Sequence, residues 1–348
     1  MNISRVMKKN TPTIHDISKA LGIDSSTVSR ALSNSTRVTA KTKDKILKKA
    51  IELGYQKNTL ASKLRTRKTN TIGVIVPRIS RHFFASVISG IEETAYDSGY
   101  DVIICQSLDN LEREKQLIQT MHSNRVDGLL VSVSMETNNS AHFNEYKKDG
   151  FPIVFFDRPF MLKEYINVII DDYKASFEAT EHMIEIGCKK IVHLRGPKTS
   201  ELYNRRELGY KDALKNNGLD IDDNYILESR LMKEDGFELA NKIVSLGNID
   251  GVFAANDTVA ISTMQYLKEK GCHIPRDMAF VGFSNEPISA VIDPSLTTVR
   301  QADVEMGKVA SLLLFELIKN NTNKINNQVT ILEPNLIIRN STSKFAKK

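Results

Sequence analysis

Residues 13–32 read T-I-H-D-I-S-K-A-L-G-I-D-S-S-T-V-S-R-A-L, two short amphipathic helices with Gly22 as the break between them. Thr13 and Asp16 form a T-x-x-D capping box, and Ile17, Ala20 and Leu21 supply the apolar stripe of the first helix. Asp24 caps the second, which points Val28, Ala31 and Leu32 inward and leaves Ser25, Ser26, Ser29 and Arg30 on the opposite face. Two helices so joined, with a small polar and basic outer face, suit insertion into a DNA groove. Thr39 opens a third helix to about Leu53, with Ile46, Leu47, Ala50 and Leu53 at helical spacing and Gly54 as its stop. Beyond it, N-T-L-A-S-K-L-R-T-R-K-T-N is polar and basic, with Asn58 able to cap about two turns. A helix that short does not hold alone in water, so it is expected to fold only against DNA or a second copy.

The charge is divided in the same way. Residues 1–70 carry 16 Lys and Arg against 4 Asp and Glu, and the remainder carries 32 against 38, so an overall +6 conceals a head at +12 and a body at −6. A basic module of that density fits binding to the phosphate backbone, and the acidic body keeps the rest of the chain off the polyanion. No stretch is apolar enough to span a bilayer, and M-N-I-S-R-V-M-K-K-N lacks the hydrophobic run of a secretory signal, so a cytoplasmic protein is expected. Cys105, Cys188 and Cys272 are odd in number and widely spaced, which suits reduced packing residues.

From Thr71 onward, apolar strands alternate with amphipathic helices: I-G-V-I-V, D-V-I-I-C, G-L-L-V, P-I-V-F-F, then K-I-V-H-L, Y-I-L-E, G-V-F-A and A-F-V-G-F. This is an α/β pattern of parallel sheets covered by helices. V-D-G-L-L-V at 126–131 and I-D-G-V-F-A at 249–254 occupy the third strand of each series, so two similar lobes with a cleft between them are expected. Ligands of open parallel sheets sit beyond the carboxyl ends of the strands. That rule selects His82, Phe83 and Phe84 after the first strand, and Asp157 with Arg158 after the fourth. In the second lobe it selects Asn256 with Asp257 and Ser284 with Asn285, and Arg206 in the helix after R-G-P overhangs the same edge. Aromatic faces, hydrogen-bonding side chains and guanidinium groups together suit a small polar metabolite.

The head motif, with V-T-A-K-T and L-G-Y after it, resembles that of the lac repressor (LacI/GalR) family of transcriptional regulators. N-T-L-A-S-K-L-R is similar to the family's hinge helix, I-G-V-I-V-P with F-F-A-S-V-I-S-G-I-E to its core opening, and N-D-T-V-A, G-F-S-N-E, D-P-S-L-T-T-V and L-I-I-R-N-S to later landmarks. The resemblance covers essentially the whole chain. It implies a three-helix helix-turn-helix head (1–56), a hinge (57–70) and a two-lobed core like a periplasmic binding protein (71–348). The first lobe is placed at about 71–170 plus 301–325, and the second at about 171–300 plus 326–340.

The resemblance also implies a homodimer on a near-palindromic double-stranded DNA operator, controlled by a small-molecule effector, a sugar or sugar derivative, in the cleft. No heptad helix is seen after L-I-I-R-N-S, so a tetramer built on such a tail is not expected. Ser25, Ser26 and Arg30 match the base-reading positions, and Thr13, His15, Ser29 and Asn34 match neighbouring DNA contacts. Leu64 matches the leucine that wedges into the minor groove, with Ala61 and Arg65 beside it. Phe83, Phe84, Asp157, Arg158, Arg206, Asn256 and Ser284 are the effector-site candidates. Two departures stand out. Lys57 replaces the proline usual before the hinge, which loosens its entry. Ser284 stands where neutral-sugar binders of the family carry Asp, which with Arg158 and Arg206 points to an anionic effector such as a sugar acid or sugar phosphate.

The other classes have less support. An exported solute receptor would share the core but needs a signal peptide and has no use for a helix-turn-helix. For an enzyme, G-F-S-N-E lacks the second glycine of a nucleophile elbow, and H-E-x-x-H, G-x-G-x-x-G and a P-loop lysine motif do not occur. The acid pairs Asp171-Asp172 and Asp222-Asp223 fall at helix starts, where capping explains them.

Overall fold

The computed structural model describes residues 12–33, 35–55, 68–320 and 328–343, and the chain divides into two compact units, Met1–Thr69 and Asn70–Lys348. In the first unit, α1 (Ile14–Leu21), α2 (Ser25–Leu32) and α3 (Ala40–Leu53) enclose a small core of Ile17, Val28, Ala31, Ile46 and Ala50. The Thr13 N–H and hydroxyl both donate to Asp16 Oδ2 at 2.7 Å, and Asp24 accepts the Ser26 N–H at 2.7 Å. Two positions expected inside are outside: Ala20 is exposed, and Leu47 is 46% exposed. Helices this short share a single core only a few side chains wide, so their apolar stripes run past its edge.

The second unit holds two six-stranded sheets. The first contains β1 (Thr71–Val76), β2 (Asp101–Gln106), β3 (Gly128–Val131), β4 (Ile153–Phe156), β5 (Ile166–Ile170) and β11 (Val329–Leu332), in the order β2-β1-β3-β4-β5-β11. The second contains β6 (Ile191–Arg195), β7 (Ile226–Glu228), β8 (Gly251–Ala254), β9 (Ala279–Phe283), β10 (Thr297–Arg300) and β12 (Asn335–Ile337), in the order β7-β6-β8-β9-β10-β12. All pairings are parallel except β12 with β10. The two lobes thus repeat one strand order, and V-D-G-L-L-V and I-D-G-V-F-A hold equivalent central places. Central strands such as β3, β4, β8 and β9 are buried along their whole length, as continuous apolar runs require when helices cover both faces.

Val329–Leu332, assigned from the sequence to the second lobe with the rest of 326–340, instead extends the first sheet beside β5. A strand that caps a distant sheet edge is chosen by the unpaired backbone it satisfies, which local patterning does not record. The sequence pattern also passed over β5 itself, I-N-V-I-I, because Asn167 interrupts its apolar run. That residue is fully buried, and its amide is consumed by Phe160 N–H, Phe160 O and Tyr165 O, each at 3.0 Å. The chain crosses between lobes three times, after β5, after β10 and between β11 and β12.

The helices that flank the site are α4 (His82–Asp97), α5 (Leu111–Ser123) and α6 (Ala141–Lys148) in the first lobe. In the second they are α7 (Asp172–Glu185), α8 (Glu201–Asn216), α9 (Gly236–Leu246), α10 (Asp257–Glu269) and α11 (Ile288–Val291). The late helix α12 (Asp303–Asn320) returns to the first lobe and packs on α4. Its approach depends on two glycines: a Cβ on Gly90 would strike the Val304 carbonyl, and one on Gly307 the Val87 carbonyl.

Candidate functional site

The first unit gathers the candidate DNA contacts at the starts of α1 and α2. Thr13, His15, Ser26 and Arg30 are exposed, and Ser25 and Ser29 are partly so. His15 Nδ1 lies 3.1 Å from Ser25 Oγ, which ties the first helix to the N-terminus of the second. Hydrogen bonding to Ser26 holds the Asp24 carboxyl below its ordinary range, so the cap is ionised and fixed at the helix start. Asn34, Ala61, Leu64 and Arg65 lie outside the described residues.

In the second unit a cavity of about 750 Å3 opens between the lobes, and Phe83, Phe84, Asp157, Arg158, Arg206, Asn256 and Ser284 all line it. Its walls come from the carboxyl ends of nine strands. Arg78 and Arg81 follow β1, Asp109 follows β2, Met135 and Glu136 follow β3, and Asp157 and Arg158 follow β4. Tyr203 and Arg206 follow β6, Arg230 and Met232 follow β7, Ala255 and Asn256 follow β8, Ser284 and Glu286 follow β9, and Gln301 follows β10. His82, Asp257 and Asn285, also selected by the strand-end rule, are not in the wall. Asp257 is fully buried and accepts the Thr298 hydroxyl at 2.6 Å, the Ser289 hydroxyl at 2.7 Å and the Glu286 N–H at 2.8 Å, which orders the loop that carries Ser284. Asn285 accepts from Arg339 at 2.7 Å.

The two arginines chosen from the sequence are held differently. Arg206 is 3% exposed; its Nε donates to Asp172 Oδ1 at 2.8 Å, Nη1 to the Ala255 carbonyl at 2.7 Å and Nη2 to Gln301 Oε1 at 3.1 Å. Its guanidinium carbon lies 3.5 Å from the centre of the Phe283 ring. Burial raises the Asp172 carboxyl to about 6 even against this neighbouring cation. Arg158 donates through Nη1 to Asp109 Oδ1 at 2.7 Å and to the Val133 carbonyl at 2.6 Å. Beside it, Asp157 accepts the Ser132 hydroxyl at 3.0 Å, and burial pushes its carboxyl up.

Asp157 and Ser284, each the first residue past the fourth strand of its lobe, have φ of 67° and 111°. Non-glycine residues in that region are uncommon and concentrate at ligand sites. Gly196, just past β6, lets the Tyr203 ring lie against the backbone, where a Cβ would collide with the ring.

Arg78, Arg81, Asp109, Tyr203, Glu286 and Gln301 were not singled out from the sequence. Extending the strand-end rule to β2, β7 and β10 would have found Asp109, Arg230 and Gln301. Arg81 lies beside the residues selected after β1, but its reach across the cleft could not be read from its place in the chain. It stands at the N-cap position of α4 in the first lobe, yet its guanidinium donates to the Thr258 hydroxyl and, at 3.3 Å, to the Leu231 carbonyl, both in the second. The lining carries five guanidinium groups, Arg78, Arg81, Arg158, Arg206 and Arg230, and five carboxyls, Asp109, Glu136, Asp157, Glu234 and Glu286. The formal charges balance, so replacing a carboxylate by Ser284 does not leave the wall cationic as a whole.

Residues 13–58 match the family model described as bacterial regulatory proteins of the lacI family, and 69–339 match that for periplasmic binding proteins and the sugar binding domain of the LacI family. The chain is 30% identical to catabolite control protein A of Priestia megaterium over 95% of its own length and 99% of that protein's. It is 32% identical to the NTD biosynthesis operon regulator NtdR of Bacillus subtilis (strain 168), over 95% and 100%. The fold matches the lac repressor dimer solved with operator and the anti-inducer ONPF, with a TM-score of 0.85 at 22% identity, covering 96% of this chain and 99% of that one. A helix-turn-helix head, a two-lobed core and full-length similarity to regulators of the same construction lead to one conclusion: the chain belongs to the LacI family of DNA-binding transcriptional regulators.

Proposed function

We propose that this regulator is a homodimeric, cytoplasmic repressor of carbohydrate-metabolism genes, switched by a sugar or sugar derivative taken between the lobes of its core. One observation carries the ligand half: nine strand ends from both sheets converge on one cavity that combines aromatic faces with equal numbers of guanidinium and carboxyl groups. A polyhydroxylated ring presents both O–H donors and acceptor oxygens over an apolar face, and this lining answers all three. A second reading, a sugar acid or sugar phosphate, draws support from unused donors. Arg206 commits three of its five N–H groups to protein acceptors, leaving two to meet an anion.

For the DNA half, Arg30 can form a bidentate pair with guanine, whereas the short hydroxyls of Ser25 and Ser26 discriminate less, so Arg30 carries most of the base reading. Dimerisation is supported by apolar side chains exposed on and beside the edge strand β2: Tyr96 is 77% exposed, Ile103 40% and Ile104 37%. The switch is two-state: effector stabilises one lobe arrangement, which sets how two copies pair and whether their heads engage DNA together.

Selection of bound sequences from random DNA, with and without sugars, sugar acids and sugar phosphates, tests this reading. A near-palindromic sequence should be enriched, and one ligand class should change the yield. Arg30→Ala should cost about 1–3 kcal/mol of discrimination at the base it reads. Enrichment of no sequence above bulk competitor, or operator preference unchanged in Arg30→Ala, would count against it.

A further inference from the structure

Glu114 is a charged residue in an apolar place. On α5 it shares the buried face with Ile118 and Met121, at i, i+4 and i+7, while its neighbours Glu112 and Arg113 are exposed. Its side chain is fully buried, and an ionised carboxyl is tolerated there only where hydrogen bonds replace the lost water. Three donors do so. Oε2 accepts the Ser134 N–H at 2.6 Å, and Oε1 accepts the Thr137 hydroxyl at 2.7 Å and lies 2.9 Å from His142 Nε2. All three belong to the segment that runs from β3 into the first turn of α6.

That segment is a wall of the cavity between the lobes. Met135 and Asn138 line it and also a smaller chamber of about 300 Å3 beside it, whose lining has two charged residues, Arg158 and Glu201. The segment also holds Arg158. The Val133 carbonyl accepts Arg158 Nη1 at 2.6 Å, and the Met135 N–H donates at 3.4 Å to Asp109 Oδ1, the same oxygen that accepts Nη1 at 2.7 Å. Both of these arginine bonds fall on Nη1, so the two N–H groups of Nη2 are left for a ligand. The helix and the loop grip each other in return, because Glu136 accepts the Leu111 N–H at 2.8 Å. The turn that brings Asp109 to this junction sets Leu108 and Asp109 at φ of 56° and 61°, a region that non-glycine residues enter where surrounding contacts hold them.

We propose that Glu114 is a positioning residue of the effector site: it fixes the loop after β3 and, through the Val133 carbonyl and Asp109, sets where Arg158 presents Nη2 to the effector. The proposal rests on the cavity being the effector site. A packing role is the alternative, and chemistry separates the two. Methionine fills a similar space without the cost of burying a carboxyl, so it preserves packing but cannot hold three donors in place. Glutamine keeps the shape, yet its amide nitrogen turns a donor toward a donor.

Hydrogen exchange on the full-length protein, read by mass spectrometry, tests the hold on the loop. Glu114→Gln and Glu114→Met should both speed exchange by about ten-fold or more at 132–142 and 108–111, with the head and the second lobe unchanged. Thr137→Val, which removes one of the three bonds, should do the same to a smaller degree and serves if neither Glu114 variant folds. Titration calorimetry with glucose, galactose, gluconate and glucose 6-phosphate as probes tests the action through Arg158. Any probe that binds should bind about five-fold or more weakly to Glu114→Gln, and that loss should vanish when Arg158 is already alanine. Slow exchange and full affinity in Glu114→Met reduce Glu114 to packing, and a loss that adds to that of Arg158→Ala shows that it does not act through Arg158; either result overturns the proposal. If no probe binds, the sugar reading fails while Glu114 is still judged on exchange, and unchanged rates at 132–142 overturn it.

Discussion

The two lobes share one strand order but use it for different chemistry, and the helices after their first strands show how. In the first lobe α4 sends Phe83 and Phe84 into the cavity wall, both 6% exposed, with their rings edge to face at 5.1 Å. In the second, α8 occupies the same topological place and sends Tyr203 and Arg206. The fourth strands echo each other in backbone, with left-handed Asp157 and Ser284, but not in charge. Topology therefore repeats the positions from which a ligand can be reached, while the side chains at those positions differ freely. At the helix after its first strand, the first lobe offers an apolar platform and the second a fixed cation.

The largest expected effect tests how unlike the two arginines are. Arg206→Ala strands Asp172, which is fully buried, and should lower the stability of the core by about 3–5 kcal/mol in urea denaturation. Asp172→Asn in the same chain should recover part of it. Arg158→Ala, at a partner that is 19% exposed, should cost clearly less. Equal losses would mean that the lobes anchor their cations alike. Next comes the bridge between lobes. Arg81→Ala removes both interlobe bonds, to Thr258 and to Leu231, and Thr258→Val only the first, so Arg81→Ala should weaken effector binding by about ten-fold, Thr258→Val by less, and the double variant no further than Arg81→Ala, with a wider ligand-free core in small-angle scattering. Additive losses would break the bridge.

The smallest effect is a pH dependence. Burial raises Asp257 to about 6, above the ordinary carboxylate value expected in the unfolded chain. Between about pH 4 and 6 the folded core then binds more protons than the unfolded chain, so this group makes stability fall as pH rises through that window and level off above it. Asp257→Asn should flatten that slope by on the order of 1 kcal/mol in denaturation measured from pH 4 to 7. In the first unit, Asp16 and Asp24 are held low by hydrogen bonds from Thr13 and Ser26 respectively, so they contribute in the opposite sense, losing stability as pH falls through the acid range.

Much of this was legible because it rests on local chemistry. Capping residues, helical spacing and Gly22 mark the head, and apolar runs ending in polar residues mark most strands and all seven effector-site candidates. The missed features have a common cause. β5 was hidden by an asparagine whose partners are tertiary, β10 is a four-residue segment, Thr297–Arg300, that opens on two threonines, and β11 and β12 are short segments selected by the sheet edges they cover. Ala20 and Leu47 carry the right periodicity on helices whose shared core is too small to reach them.

By itself the sequence determined most of the segments that become helix or strand, that a basic reader precedes an acidic two-lobed body, and many of the strand ends that carry chemistry, because those properties follow from neighbours a few residues apart. Only the tertiary structure decided that Arg206 is neutralised by Asp172 and Arg158 by Asp109, that Arg81 reaches the opposite lobe, and that a smaller chamber with few charged residues opens beside the charged one. These depend on which distant residues share a few ångströms of low-dielectric space. Ion pairing and burial are set by that distance, which spacing along the chain does not encode.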